Sequence, residues 1–145
     1  MNITQQIAPH VLEGKLALVT GAGQGNGRAI ARGLSMAGAK VIVTDLNADN
    51  AQLVANEILE KGGQAWAFRL DVTSNQACQD LALQVSKDIG PIDLLVNNAG
   101  IIIRENMDSP KVVENLERTM NVNVMGTFLR SEERRVGKEC LRLCR

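Results

Sequence analysis

Thr20-Gly21-Ala22-Gly23-Gln24-Gly25-Asn26-Gly27 places four glycines within seven residues, between a short apolar run and an amphipathic stretch. Without a Cβ, such a backbone turns tightly and lets a ligand approach closely. A helix that starts there adds unpaired N–H groups and about half a positive charge, which suits an anion. A strand-to-helix turn that holds nothing is the competing reading, and the glycine density favours the ligand. The strict G-x-G-x-x-G pattern fails, because Asn26 stands at its third glycine. The spacing that fits is T-G-x-x-x-G-x-G, through Gly21, Gly25 and Gly27.

Asp45 follows at the end of the next apolar run. A carboxylate at that edge accepts hydrogen bonds from adenosine ribose hydroxyls and repels a 2′-phosphate. Leu46 and Asn47 add no cation beside it, so NAD is favoured over NADP. Asp71-Val72 ends a third run, where a carboxylate and a backbone group can meet an adenine edge; a turn or capping aspartate is the alternative. Asn97-Asn98-Ala99-Gly100 ends a fourth, offering small residues and fixed amides against an amide-rich turn as the plainer reading.

The elements that must position these groups alternate in type. Residues 15–20, 40–45, 64–71 and 92–97 read as strands, mostly continuous and β-branched. Between them, residues 26–39, 48–61 and 74–89 carry apolar side chains at helical spacing. Ile30, Leu34 and Ala37 mark the first helix, Val54 and Ile58 the second, and Cys78, Leu81, Val85 and Ile89 the third. Gly38 and Gly62-Gly63 stop two of them, and Ser74 is a capping residue for another. Ser109 and Pro110 predict the start of a fourth helix, with Pro at the first helical position. Val113, Leu116, Met120 and Val124 continue one stripe along it to about residue 129. The order βαβαβαβα with short connections predicts a parallel, doubly wound α/β sheet covered on both faces.

The 145 residues contain 16 Lys plus Arg and 16 Asp plus Glu, so no bulk positive field favours nucleic acid or an anionic membrane. No apolar run approaches the roughly 18–20 residues that span a bilayer. The N-terminus has no basic-then-apolar leader, and three cysteines without metal-ligand spacing suit a reducing compartment. Together these point to a cytoplasmic protein. No metal constellation is present. His10 reads as a loop residue, Cys78 as a core thiol, and Trp66 and Phe68 as packing residues.

The T-G-x-x-x-G-x-G turn, the Asp45 strand end, Asp71-Val72, N-N-A-G at 97–100 and Asn123 in N-V-M-G resemble the short-chain dehydrogenase/reductase family. The resemblance covers roughly residues 14–129. It implies a Rossmann-type fold, a nicotinamide dinucleotide, and reversible hydride transfer to or from a small alcohol or carbonyl substrate. It implies that Gly21, Gly25 and Gly27 line the pyrophosphate, with Gly23, Gln24 and Asn26 completing that turn. By the same resemblance Asp45 and Leu46 meet the ribose, and Asp71 and Val72 the adenine. Asn98, Ala99 and Gly100 border the cofactor, Asn98 also steadying the central strands. Asn123 is the matching asparagine that bends its helix and supports a water-linked proton relay. Asn26 departs from the pattern, standing where the family usually carries an aliphatic residue.

A larger departure lies downstream. The family's catalytic serine and Tyr-x-x-x-Lys follow the asparagine helix, and this sequence has no tyrosine. Hydride transfer needs a proton donor or acceptor at the substrate oxygen, and an amide does not titrate in the useful range. The chain is therefore expected to bind cofactor without turnover, as a fragment; a non-catalytic dinucleotide-binding module or sensor is the alternative. Residues 1–129 hold 10 basic and 13 acidic side chains, whereas residues 130–145 hold 6 and 3. That tail, beginning RSEERRVGKEC, resembles translated sequencing-adapter read-through. The expected organisation is a lead-in at 1–13, an incomplete NAD-binding domain at 14–129, and a non-native tail. The fourth strand is expected centrally, beside the first and a missing fifth, leaving Leu94-Leu95-Val96 as an exposed apolar edge and the chain prone to aggregate. A full-length version is expected to form a homo-oligomer.

Overall fold

A computed structural model describes residues 10–106 and 108–128; most of the lead-in and the tail from 130 lie outside the described residues. Four strands alternate with helices: β1 (Leu16–Thr20), α1 (Gly25–Met36), β2 (Lys40–Asp45), α2 (Ala48–Glu60), β3 (Ala65–Arg69), α3 (Asn75–Asp88), β4 (Leu94–Val96) and α4 (Val112–Met120). A π-helical turn over Asn121–Met125 continues α4. All strand pairs are parallel, in the order β3-β2-β1-β4. This is the doubly wound, Rossmann-type sheet that the alternation of runs predicts.

The period of two along each strand sends neighbouring side chains to opposite faces. On one face Val19, Val41, Val43 and Ala65 pack with Ala31 of α1 and Ala51, Val54, Ala55 and Ile58 of α2. On the other, Leu16, Leu18 and Ile42 pack with Cys78, Leu81 and Val85 of α3, and Trp66 and Phe68 join them. Both aromatics thus serve as packing residues, and Cys78 is a buried thiol. Gly38 and Gly62 follow the last turns of α1 and α2 with positive φ, donating to Ser35 O and Leu59 O.

Three expectations need correction. β4 is shorter than the 92–97 run because the chain leaves the ladder early: Asn98 N–H bonds to Val96 O and to the Thr20 hydroxyl. Among the described residues β4 is the sheet edge and pairs only with β1, as expected of a sheet without a fifth strand. α4 begins at Val112, two residues past Pro110, because residues 109–111 form a separate turn in which Ser109 Oγ accepts from Lys111 N–H at 3.2 Å. The apolar stripe of α4 is exposed, Val113 at 63% and Leu116 at 61%. α4 buries none of its residues. The less exposed face runs instead through Val112, Asn115, Thr119, Val122 and Gly126. It is Val122, off the extrapolated stripe, that packs against the sheet.

Among the described residues no helix is long and apolar enough to cross a membrane. No group of three or more His, Cys, Asp or Glu there is placed to hold a metal.

Candidate functional site

Chain direction in the sheet reverses between β1 and β4. β2 and β3 add on one side of β1, and α3 carries the chain back to the other. Such a switch point opens a crevice at the carboxyl ends of the strands. Here that crevice is a groove of about 880 Å³. From the glycine turn it is lined by Gly21, Gln24, Asn26 and Gly27, and from the end of β2 by Asp45 and Leu46. Asp71 and Val72 line it beyond β3, and Asn98, Ala99 and Gly100 beyond β4. Of the sequence-predicted residues, Gly23, Gly25 and Asn123 lie off this lining.

The glycine turn is tight for reasons that differ by position. Gly21 has φ +61°, and a Cβ on it would stand 2.7 Å from Ala99 Cα, so the turns after β1 and β4 meet backbone to backbone. A Cβ on Gly27 would lie 2.1 Å from Gly21 O and 2.5 Å from Asn98 Nδ2. Gly25, at φ +53°, faces open space. Gln24 enters α1 in extended conformation; no side chain caps this helix, and no acidic residue sits in its first turn. Asn26 is exposed at the groove, so its departure from an aliphatic residue disturbs no core. A close backbone turn leading to uncapped amides is a fit for a dinucleotide's diphosphate.

Thr20 and Asn98 hold that turn against β4. Thr20 is fully buried, and its Oγ1 accepts from Asn98 N–H and Ala99 N–H, both at 3.1 Å, while donating to Val96 O at 3.3 Å. The Asn98 amide nitrogen donates to Thr20 O and Gly21 O, each at 3.0 Å. Two strand ends are thereby joined at the groove floor by one hydroxyl and one amide.

At the end of β2 the Asp45 carboxylate accepts from Gly23 N–H at 2.9 Å and Asn47 N–H at 3.0 Å. Asp71 serves partly as the turn residue its sequence context allows: one carboxylate oxygen accepts from Thr73 Oγ1 at 2.6 Å and Thr73 N–H at 2.9 Å. The Thr73 hydroxyl, then its N–H, hold the Asp71 carboxyl below the usual aspartate value; Arg69 acts in the same direction and burial opposes them.

Asn123 sits in the π-helical turn and reads the loop after β4. Its Oδ1 accepts from Ile101 N–H at 2.8 Å and its Nδ2 donates to Ile101 O at 2.9 Å. Sequence reasoning missed Asn47, Asn50, Leu70, Ile101, Arg118 and Val122, which also line the groove. Arg118 and Val122 are four apart, one turn on one helix face, a signal hidden beneath the stronger apolar stripe. The Thr20 hydroxyl was visible only as a motif letter.

Comparison with known proteins agrees with this geometry. A short chain dehydrogenase family profile matches residues 15–134. The chain is 44% identical over 117 residues to a 7alpha-hydroxysteroid dehydrogenase of Escherichia coli, covering 81% of this chain and 45% of that protein. It is 37% identical over 117 residues to a 2,3-dihydro-2,3-dihydroxybenzoate dehydrogenase of Bacillus subtilis, covering 81% and 44%. Among solved structures, a short-chain type dehydrogenase/reductase from Mycobacterium marinum superposes with a TM-score of 0.82 at 36% identity, over 92% of this chain and 52% of that one. The chain thus spans about half the length of the relatives it matches. Matched across most of its residues by sequence and by fold, with the glycine turn at the sheet's switch point, the chain belongs to the short-chain dehydrogenase family.

Proposed function

We propose that this chain forms the dinucleotide-binding part of an NAD-dependent oxidoreductase acting between an alcohol and a carbonyl. The family works with a nicotinamide cofactor, whose nicotinamide ring, when bound, supplies or accepts the hydride. The preference for NAD over NADP is carried by one observation: the Asp45 carboxylate stands beside the glycine turn on the groove wall. It accepts from a ribose diol and repels a 2′-phosphate, and neither Leu46 nor Asn47 offsets that charge.

In this reading Gly21, Gly23, Gln24, Gly25, Asn26 and Gly27 shape the diphosphate cradle at the start of α1. Asp45 and Leu46 hold the adenosine ribose, and Asp71 and Val72 the adenine. Asn98, Ala99 and Gly100 border the cofactor, and Asn123, whose side chain grips the Ile101 backbone, supports a water-linked proton relay. The matched relatives are named for a hydroxysteroid and a dihydroxybenzoate derivative, which supports a small-molecule alcohol or carbonyl substrate. We place the protein in the cytoplasm, with no nucleic-acid or membrane partner, and its longer form in a homo-oligomer.

A second reading, a dinucleotide-binding module without chemistry, draws on the absence of any tyrosine in the 145 residues. Titrating the chain with NADH and NADPH by fluorescence tests the shared part. Saturable NADH binding, tighter than NADPH and abolished by Gly25→Val, is expected. No saturable response, or indifference to Gly25→Val, would overturn both readings. A dehydrogenase assay on a version completed from the native locus separates them: NAD-dependent turnover of an alcohol supports the first reading, and cofactor binding without turnover supports the second.

A further inference from the structure

We propose that Gly23 is a specificity-determining residue. Its missing side chain lets the Asp45 carboxylate fold across the glycine turn, which fixes that carboxylate for an unphosphorylated ribose. The proposal rests on the NAD reading above.

Neither usual reason for a glycine applies at this position. Gly23 is not among the residues with positive φ, whereas its neighbours Gly21 and Gly25 are. Nor does it line the groove, so closeness to a ligand does not require it. What a Cβ would meet is the ribose device itself: Asp45 Oδ2 at 2.8 Å, Asp45 Cγ at 2.9 Å and Asn50 Cβ at 2.7 Å. Contacts that short do not survive, so something must move. Asn50 Cβ is anchored to the backbone of α2. The carboxylate is the mobile partner.

Moving it undoes a specific arrangement. Oδ2 accepts from Gly23 N–H and Oδ1 from Asn47 N–H, so two backbone donors engage both oxygens. Each oxygen keeps a further acceptor site. Held in this way, the carboxylate meets a vicinal diol without first being ordered, and its charge stays fixed where a 2′-phosphate would arrive. A methyl at 23 breaks the Gly23 bond, frees the carboxylate to swing into solvent, and leaves a backbone N–H open to an anion. NADH then binds less well, while NADPH binds as well or better.

The test is a fluorescence titration of NADH and NADPH against the full chain and its variants. Gly23→Ala is expected to lower the NADH-over-NADPH affinity ratio roughly tenfold, the size of one lost charge-assisted hydrogen bond. Gly23→Ala with Asn50→Gly, which relieves the anchored contact, retains that loss and carries the test if the single variant fails to fold by circular dichroism. Asp45→Ala removes the preference, and adding Gly23→Ala to it moves the ratio no further. Equal weakening of both cofactors, recovery of the ratio with Asn50→Gly, or a further drop in the Asp45→Ala background overturns the proposal. Wild-type chain that binds neither cofactor sinks the NAD reading and this inference with it. NADH binding with a ratio unmoved by Gly23→Ala sinks the inference alone.

Discussion

The three helices that connect successive strands of this sheet begin in two ways. α2 and α3 are capped by their own side chains: Asn47 accepts from Asn50 N–H at 3.1 Å, and Ser74 from Ala77 N–H at 3.2 Å. α1 begins at Gln24 with no side-chain cap. Unpaired amides at a helix start are normally satisfied by a cap, water or a ligand. Capped starts therefore serve the fold, while the uncapped start of α1, facing the groove, supports the proposed anion site there. The same division appears in glycine use, since the turn into α1 is built on Gly21, Gly25 and Gly27 and the other two starts need none.

Substitutions can break this contrast or sharpen it. The largest effect is expected from Gly27→Ala: its Cβ would meet Gly21 O, a backbone atom that cannot yield, and urea unfolding should show a loss of about 3 kcal/mol or more. Thr20→Val keeps the volume but strips the half-buried Ala99 N–H of its acceptor and leaves Asn98 N–H only Val96 O; a loss of about 1–3 kcal/mol is expected, together with weaker NADH binding. Ser74→Ala should destabilise by about 1 kcal/mol and leave the NADH dissociation constant unchanged, because α3's start has no part in the groove. Gln24→Asp inverts the contrast by capping α1: stability should rise by about 0.5–1 kcal/mol while NADH affinity falls, since a carboxylate now occupies the anion's place. A rise in both, or in neither, would remove the reason for treating α1 as different.

The smallest effect concerns pH. Asp71 is held below the ordinary aspartate value by Thr73, so its contribution to stability is complete above about pH 3.9 and fades as pH falls through the lower folded value. Thr73→Val retains the N–H but not the hydroxyl. It should raise the Asp71 titration midpoint, followed by carboxyl NMR, and shift the acid loss of stability to higher pH.

How far the sequence could be read follows from the range of the interactions. β2 lies where its β-branched run predicts, and α2 and α3 end within a residue or two of the expected limits, because glycine stops and capping residues act locally. The inward face of α4 escaped prediction because it is mostly small or polar, through Asn115, Thr119 and Gly126, while the apolar stripe stays exposed. At the site, the groups that face the groove from strand ends were legible, since parallel topology brings those ends together. The Thr20–Asn98 bonds join residues 78 apart, and nothing near either one announces them. Gly23 was read with the phosphate-facing turn, yet its neighbours in space are Asp45 and Asn50.

The Thr20 hydroxyl has a kinetic consequence. Because one oxygen takes the amide hydrogens of both Asn98 and Ala99, parting the seam between β1 and β4 frees Ala99 N–H and leaves Asn98 N–H only Val96 O. Hydrogen–deuterium exchange should be faster at Ala99 than at Asn98, and slow at both when a dinucleotide bridges the strands. Such a result would make one hydroxyl the latch between the two halves of the sheet.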